Sequence, residues 1–178
     1  MPAGMAEIGL RWFAFRTRPR AEKRVHKLLR STGFESYLPL IERISQWSDR
    51  KKRVEYPLFP GYVFCQVERE RIGDVVRTTG IVDVVRVGDQ AAPVRDDELD
   101  SVRALMEGAN RTGTEVHPAH FLKPGENVLV ASGPFEGLRG TLTEERGSLQ
   151  VVVNIRTLQQ AVGVQMDRRH LVSVNEAL

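Results

Sequence analysis

The sequence predicts an α+β protein with an N-terminal α/β sandwich built on an antiparallel sheet, a linker and a small five-stranded β-barrel. Three observations predict this class. Apolar residues within 11–107 change between a two-residue and a 3.6-residue period, as strands and amphipathic helices require. Residues 108–122 have no apolar period, and short alternating runs separated by glycines recur within 123–176. The predicted domains are therefore 11–107 and 123–176, joined by the linker 108–122.

Composition excludes several classes of protein. The 178 residues suffice for one medium domain or two small ones. No run approaches the roughly 18 apolar residues of a membrane helix, and Met1 to Leu10 is too short and too interrupted for an export signal. We therefore expect a cytoplasmic protein without a membrane partner. Its one cysteine, Cys65, cannot form an internal disulfide.

Positive charge is concentrated at the start of the chain. The net charge is only +3, yet residues 1–60 hold 13 Lys and Arg against 6 Asp and Glu. Such asymmetry favours contact with nucleic acid or another polyanion. A solvated helix face is equally compatible with the charge alone.

The first two elements are a strand and an amphipathic helix. Arg11 to Thr17 is aromatic-rich and extended in character, and Pro19 suits the first position of a helix. The helix ends at Gly33, a residue that favours a helix C-terminus. Its predicted core stripe is Ala21, Val25, Leu28, Leu29 and Thr32. The opposite arc is cationic and consists of Arg20, Lys23, Arg24, Lys27 and Arg30.

A basic hairpin is predicted next. An extended run, Ser36 to Ile44, is followed by the polar tip Ser45 to Arg53, which is interpreted as a loop. Its cations, Arg50 to Arg53, are suited to a phosphate backbone, and Trp47 offers a stacking surface for an unpaired base.

The strand Tyr62 to Val67 follows the turn at Pro57 to Gly61. Its alternation places Val63, Cys65 and Val67 on one face and Tyr62 and Phe64 on the other. Two apolar faces need two covers. Either the aromatic face is open to a partner, or the third helix or the barrel covers it, and the sequence alone leaves both alternatives open.

The remaining elements are a short helix from Ile72 to Thr79, a strand from Ile81 to Val87 and a third helix, which begins with three acidic residues at 96–98. Glycines and β-branched residues oppose helix beyond residue 125. The predicted barrel strands are Val128 to Ala131, Gly140 to Thr143, Leu149 to Ile155, Ala161 to Met166 and Leu171 to Val174.

No constellation of residues predicts catalysis, so we expect neither an enzyme nor a cofactor. The sequence has no phosphate-binding glycine loop, no H-E-x-x-H and no G-x-S-x-G. His117 and His120 lack further zinc ligands nearby, which predicts solvated histidines and no metal site. Cys65 lies on the inferred core face and is expected to be an inert thiol.

Three stretches resemble the NusG-type transcription elongation factors. They are WFAFRTRPRAEKRV (Trp12 to Val25), PLFPGYVF (Pro57 to Phe64) followed by TGIVDVVRVG (Thr79 to Gly88), and PGENVLVASGPFEGLRG (Pro124 to Gly140), which is similar to a KOW motif. The resemblance implies an NGN-like first domain and a KOW-type barrel of the Src-homology-3 kind. It also implies a monomer that associates with the nucleoid during transcription.

The resemblance implies three binding surfaces. The first docks on the clamp helices of the largest catalytic subunit of RNA polymerase and corresponds to Phe59, Pro60, Tyr62 and Phe64. The second faces upstream or non-template DNA; together with the cationic residues around the first helix it comprises Arg16, Arg18, Arg20, Lys23, Arg24, Lys27, Thr78 and Thr79. The third, on the barrel, recruits a ribosomal small-subunit protein or Rho and corresponds to Gly133, Pro134 and Phe135.

Two departures from the family pattern favour a specialised member. The hairpin tip is short and basic, as in paralogues of the RfaH, UpxY and LoaP kind. Residues 154–158 replace the usual phenylalanine-glycine-arginine turn of the barrel, which argues against Rho. The predicted function is a specialised antitermination factor. The alternatives are a housekeeping elongation factor and an RNA- or ribosome-binding module without polymerase contact.

Overall fold

A computed structural model describes residues 9–47, 49–119 and 126–174. The chain divides into two compact units, Met1–Val94 and Arg95–Leu178. The first combines an antiparallel sheet with two helices, and the second is rich in β-strands, which confirms the predicted α+β class. Among the described residues, no helix has the length and apolarity needed to cross a membrane.

The first unit is organised around an antiparallel sheet in the order β2-β5-β1-β6, with β9 also paired to β1. A separate ribbon is formed by β3 and β4, and β7 pairs with β8. The strands are β1 (Arg11–Thr17), β2 (Glu35–Tyr37), β3 (Leu40–Trp47), β4 (Arg50–Pro57), β5 (Tyr62–Val67), β6 (Ile81–Val84), β7 (Arg86–Val87), β8 (Gln90–Ala91) and β9 (Pro93–Val94); the helices are α1 (Glu22–Ser31) and α2 (Ile72–Val76), the latter preceded by a 3₁₀ turn at Arg69–Arg71.

The core of the first unit lies on one face of this sheet. Phe13 and Phe15 of β1 are fully buried there together with residues of α1 and α2. The predicted alternation of β5 is confirmed, because Val63, Cys65 and Val67 all belong to this core. Burial of each such side chain contributes about 1.5–3 kcal/mol relative to exposure.

Helix α1 ends where its sequence predicts. Gly33 has φ +87°, and the Phe34 N–H donates to the Leu29 carbonyl at 2.9 Å, so the left-handed glycine reverses the chain as in a helix cap. The prediction of the core stripe is wrong for two of its residues. Leu28 is exposed, and Thr32 lies at the C-cap, where its hydroxyl donates to the Leu28 carbonyl at 3.0 Å.

The basic tip is more regular than predicted. Most of the expected loop from Ser45 to Arg53 continues the two eight-residue strands β3 and β4, with Ser45 opposite Lys52. Exposed polar side chains do not prevent a strand, because the cross-strand backbone hydrogen bonds are independent of side-chain polarity. The side chain of Trp47 lies outside the described part of the structure.

The second unit contains all five predicted barrel strands and a further one. Its sheet is antiparallel in the order β10-β14-β13-β12-β11-β15, which confirms strand over helix in the described residues 126–174. The elements are α3 (Asp96–Thr112), β10 (His117–Ala119), β11 (Asn127–Val130), β12 (Arg139–Glu145), β13 (Ser148–Ile155), β14 (Gln160–Gln165) and β15 (Leu171–Ser173), with 3₁₀ turns at Arg156–Leu158 and Arg168–His170.

The predicted linker is partly structured. Helix α3 continues to Thr112, and β10 pairs with β14. The sequence is rich in Gly, Thr and Asn here and carries no apolar period. The end of α3 is nevertheless helical, because Gly108 and Ala109 are buried and Gly108 packs on Pro134 and Phe135. The predicted domain boundaries at residues 107 and 123 remain a prediction.

Helix α3, expected in the first domain, packs against β13 of the second unit. Val151, Val152 and Val153 of that strand are all buried, which requires cover on both of its faces. Glu98 reaches the turn after β13, where its Oε1 accepts from the Arg156 N–H at 3.4 Å and lies 3.6 Å from the Arg156 Nε. The other oxygen, Oε2, is buried without a hydrogen-bond partner among the described residues.

We expect Gly108→Ala to destabilise the protein. A Cβ at Gly108 would lie 2.6 Å from the Pro134 carbonyl oxygen and would overlap the Phe135 ring. Overpacking costs about 1–3 kcal/mol, which exceeds the roughly 1 kcal/mol that alanine gains over glycine in a helix. Thermal unfolding should show a lower Tm. The control is Gly73→Ala in α2, where nothing lies within 4 Å; its Tm should stay level or rise. A higher Tm for Gly108→Ala would contradict this packing.

We expect Glu98→Gln to change the pH dependence of stability. Burial, opposed by the Arg156 N–H and guanidinium, raises the pKa of Glu98. The folded chain therefore binds more protons than the unfolded chain, so stability falls as pH rises above the unfolded value of about 4.3 towards the folded value. Glutamine cannot ionise. The stability of this variant relative to wild type, measured by Tm, should therefore be greater at pH 7 than at pH 4. Glu107→Gln, exposed on the same helix, should show no such change.

Candidate functional site

The turn at Gly61 connects three elements of the first unit. Its N–H donates to Oε1 of Glu22, at the start of α1, at 2.8 Å. Its carbonyl accepts from the N–H of Thr17, the last residue of β1, also at 2.8 Å. Gly61 has φ +84°, which favours glycine, and Glu22 is buried. The turn before β5 is thereby held against both the helix start and the strand end.

The four residues expected to dock on polymerase differ in exposure. Phe59 is 2% exposed and Phe64 is 0% exposed, and their rings meet edge to face at 5.9 Å. Tyr37 stacks on Phe64 at 6.4 Å between centroids. Tyr62 is half-buried and Pro60 is exposed. Among these four residues, Pro60 and Tyr62 are the ones that reach solvent, while the two phenylalanines are buried against each other.

The loops that carry the predicted nucleic-acid residues meet beside this turn. The Arg18 N–H donates to the Gly80 carbonyl at 2.8 Å, which joins the loop after β1 to the loop that contains Thr78 and Thr79. Gly80 has φ +102°, and a Cβ there would lie 2.9 Å from Val25 Cγ2. A glycine at position 80 therefore lets Thr78 and Thr79 approach the start of α1.

The cationic residues of this edge are mostly unneutralised. Arg16, Arg18, Arg24 and Lys27 are exposed and have no acidic partner among the described residues. Lys23 differs because its Nζ lies 3.4 Å from Glu55 Oε2 on β4. One placement is corrected: Arg20 precedes α1 with φ +61° and is not part of the helix. The helix starts one residue after Ala21 because the turn at 18–20 uses a left-handed residue.

The predicted recruiting loop of the barrel is partly buried. Gly133 and Pro134 are exposed, whereas Phe135 is buried against α3 at Gly108. Gly133 has φ +90° and lies beside His170, whose Nδ1 is 3.0 Å from the Ser132 hydroxyl. The glycine and proline are therefore available to a partner, and the phenylalanine is occupied within the second unit.

Sequence reasoning missed the residues that assemble these surfaces. Glu22, Gly80 and Glu55 were not predicted as site residues, although Glu22 follows directly on the cationic loop. The available signal is a single carboxylate in the first turn of an otherwise basic helix. Its burial, which makes a partner necessary, is seen only in the structure. Glu55 carries no local signal, since its contact with Lys23 spans 32 residues.

The other reactive side chains do not form a site in the described part of the chain. Burial raises the pKa of the Cys65 thiol to about 12, so the thiolate is scarce at neutral pH. His117 lies in β10, and His120 lies outside the described residues. No three His, Cys, Asp or Glu residues among those described are grouped as metal ligands.

Comparisons with known proteins identify relatives. Residues 10–103, more than half of the chain, match the family model for transcription termination factor nusG. The chain is 31% identical over 170 residues to the transcription termination/antitermination protein NusG of Thermus thermophilus, covering 83% of this chain and 91% of the relative. It is 28% identical over 162 residues to NusG of Pseudomonas aeruginosa, covering 82% and 89%.

A solved structure titled "Domain interaction in Thermotoga maritima NusG" has 25% identity and a TM-score of 0.48, and the match covers 93% of this chain and 98% of that one. The family match and the Thermus relative carry the assignment. The chain belongs to the NusG family of transcription termination and antitermination factors.

Proposed function

We propose that this chain is a specialised antitermination factor that docks on RNA polymerase and suppresses pausing and termination. The observation that carries the proposal is the Gly61 turn, whose hydrogen bonds to Glu22 and Thr17 hold the Pro60 and Tyr62 surface beside the cationic edge. A factor that touches polymerase and its DNA together needs both surfaces at a fixed spacing. The clamp helices of the largest catalytic subunit are the proposed docking partner.

Docking suppresses pausing through differential affinity. If the turn binds the closed clamp more tightly than the open clamp of a paused polymerase, binding shifts the population toward the closed state. No catalytic group is needed for this mechanism. Tyr62 supplies the aromatic contact, and the buried phenylalanines, Phe59 and Phe64, keep its turn in one conformation.

The cationic edge is proposed to contact upstream or non-template DNA. Arg16, Arg18, Arg24 and Lys27 each offer an unneutralised charge to a phosphate. Lys23 contributes less, because Glu55 partly neutralises it. Arg20, Thr78 and Thr79 complete this edge, where the two threonine hydroxyls are suited to phosphate oxygens.

The second unit is proposed to recruit a further partner through its loop at Gly133 and Pro134. A ribosomal small-subunit protein is favoured over Rho, because residues 154–158 form the end of β13 and a 3₁₀ turn rather than the family's phenylalanine-glycine-arginine turn. A partner that needs Phe135 has to displace α3, under which that ring is buried.

We expect Tyr62→Ala to weaken polymerase binding by about 1–3 kcal/mol, which is the cost of losing an aromatic anchor. The measurement is affinity for the purified elongation complex, together with single-round transcription through a pause and a terminator. The control is Val87→Ala, which truncates an exposed apolar side chain elsewhere in the first unit. If Tyr62→Ala binds and suppresses pausing like wild type, this turn is not the docking surface.

We expect the factor to occupy polymerase at few genes. The short basic hairpin supports a specialised role, because the resemblance gives general members a longer insertion here, and specialised members act where they are loaded. Chromatin immunoprecipitation of this protein and of polymerase, normalised to each other, measures this directly. If this protein is found with polymerase at most transcribed genes, the specialised role is contradicted and the housekeeping role is supported. Absence from polymerase, with binding to ribosomes or structured RNA, would favour a module without polymerase contact.

A further inference from the structure

Most side chains of the ribbon of β3 and β4 are exposed on both of its faces. These strands pair with each other along eight positions and join no other strand of the described chain. Residues directly opposite each other in an antiparallel pair share a face, and successive residues alternate between faces. The register therefore assigns every side chain of the ribbon to one face or the other.

The register separates the charges of the ribbon. One face, here called the cationic face, carries Arg43, Arg50, Lys52 and Tyr56 and has no Asp or Glu. The other, here called the mixed face, carries Glu42, Lys51, Arg53 and Glu55. The run Arg50 to Arg53 is uniform in sequence, yet its four charges alternate between a face without acids and a face that is neutral in sum.

Ion pairs occupy both acidic residues of the mixed face. On the mixed face, Arg53 lies 3.4 Å from Glu42, and Glu55 lies 3.4 Å from Lys23 of α1. On the cationic face, Arg43, Arg50 and Lys52 are exposed and have no acidic partner among the described residues. These three cations are therefore available to an anion.

The cations lie in a row. Arg50 and Lys52 are two residues apart on one strand, which corresponds to about 7 Å. Arg43 lies diagonally opposite Lys52, which corresponds to about 7–8 Å. Flexible side chains at these intervals can each reach a successive phosphate of one strand. Farther along the same face Tyr56 is 44% exposed and offers its ring to an unpaired base.

We propose that the cationic face binds the backbone of single-stranded DNA. A single row of cations suits one strand, whereas a duplex presents its two backbones on either side of a groove. The chemistry recognised is a phosphate backbone with an unpaired base, and the comparison with oligouridine below distinguishes DNA from RNA. This site lies on elements other than the polymerase turn and the α1 edge, and it stands independently of polymerase docking.

The test uses the full chain and fluorescein-labelled oligothymidine of about 12 nucleotides, a length suited to such sites, with fluorescence anisotropy across a salt series. The cationic-face variant is Arg43→Gln with Lys52→Gln. Its matched control is Lys51→Gln with Arg53→Gln, which removes the same charge from the mixed face of the same ribbon. Arg50 is left unchanged because Asp49 precedes it in the turn.

We expect the cationic-face variant to bind oligothymidine about tenfold more weakly than wild type at low salt. The slope of the logarithm of the association constant against the logarithm of salt concentration should become shallower by about 1.4, because two phosphate contacts of about 0.7 each are lost. The control should change affinity less than about threefold. Tyr56→Ala should weaken binding without changing the slope, and Tyr56→Phe should restore it. Circular dichroism and Tm of each variant report on folding.

Four results would overturn the proposal. They are no binding by wild type, equal weakening by both double variants, no weakening by the cationic-face variant, and tighter binding to oligouridine or to duplex DNA than to oligothymidine. All of these measurements omit polymerase, so failure of this site and failure of polymerase docking are distinguishable.

Discussion

The first unit depends on strand β1 being buried on both faces and paired along both edges. Four consecutive side chains, Trp12 to Phe15, are buried, while β5 pairs on one edge and β6 and β9 share the other. A strand without free backbone groups or an exposed face cannot shift its register without losing hydrogen bonds and burial together. The loops that carry Arg18, Gly61 and Gly80 each begin or end on this strand or on its direct neighbours.

The buried carboxylate of Glu22 fixes the position of the turn at Gly61 relative to β1. Glu22 accepts from Gly61, and Gly61 accepts from the end of β1. A buried charge without a partner is costly, so the turn and the helix start stabilise each other's positions. Gly80 acts at the other side of α1, where absence of a side chain permits close packing on Val25. Backbone contacts therefore set the positions from which the cationic side chains extend.

The ion pairs of this unit matter more for charge than for stability. Lys23 with Glu55 and Arg53 with Glu42 are both about half exposed or more, and such pairs contribute about 0–1 kcal/mol. Their larger effect is to neutralise particular cations in a basic surface. They leave a pattern of available charge that differs from the pattern in the sequence, and available charge is what attracts a polyanion.

The sequence by itself determined the α+β class, the strand β1, the C-terminal end of α1, the alternation of β5 and all five expected barrel strands, because these depend on local periodicity and on residues such as Gly33. It also identified the family. Only the tertiary structure decided that Phe59 and Phe64 are buried, that α3 packs on β13, that Lys23 meets Glu55, and which cations of the ribbon share a face. Each of these depends on strand register or on contacts between residues far apart in the chain, and no local pattern contains that information.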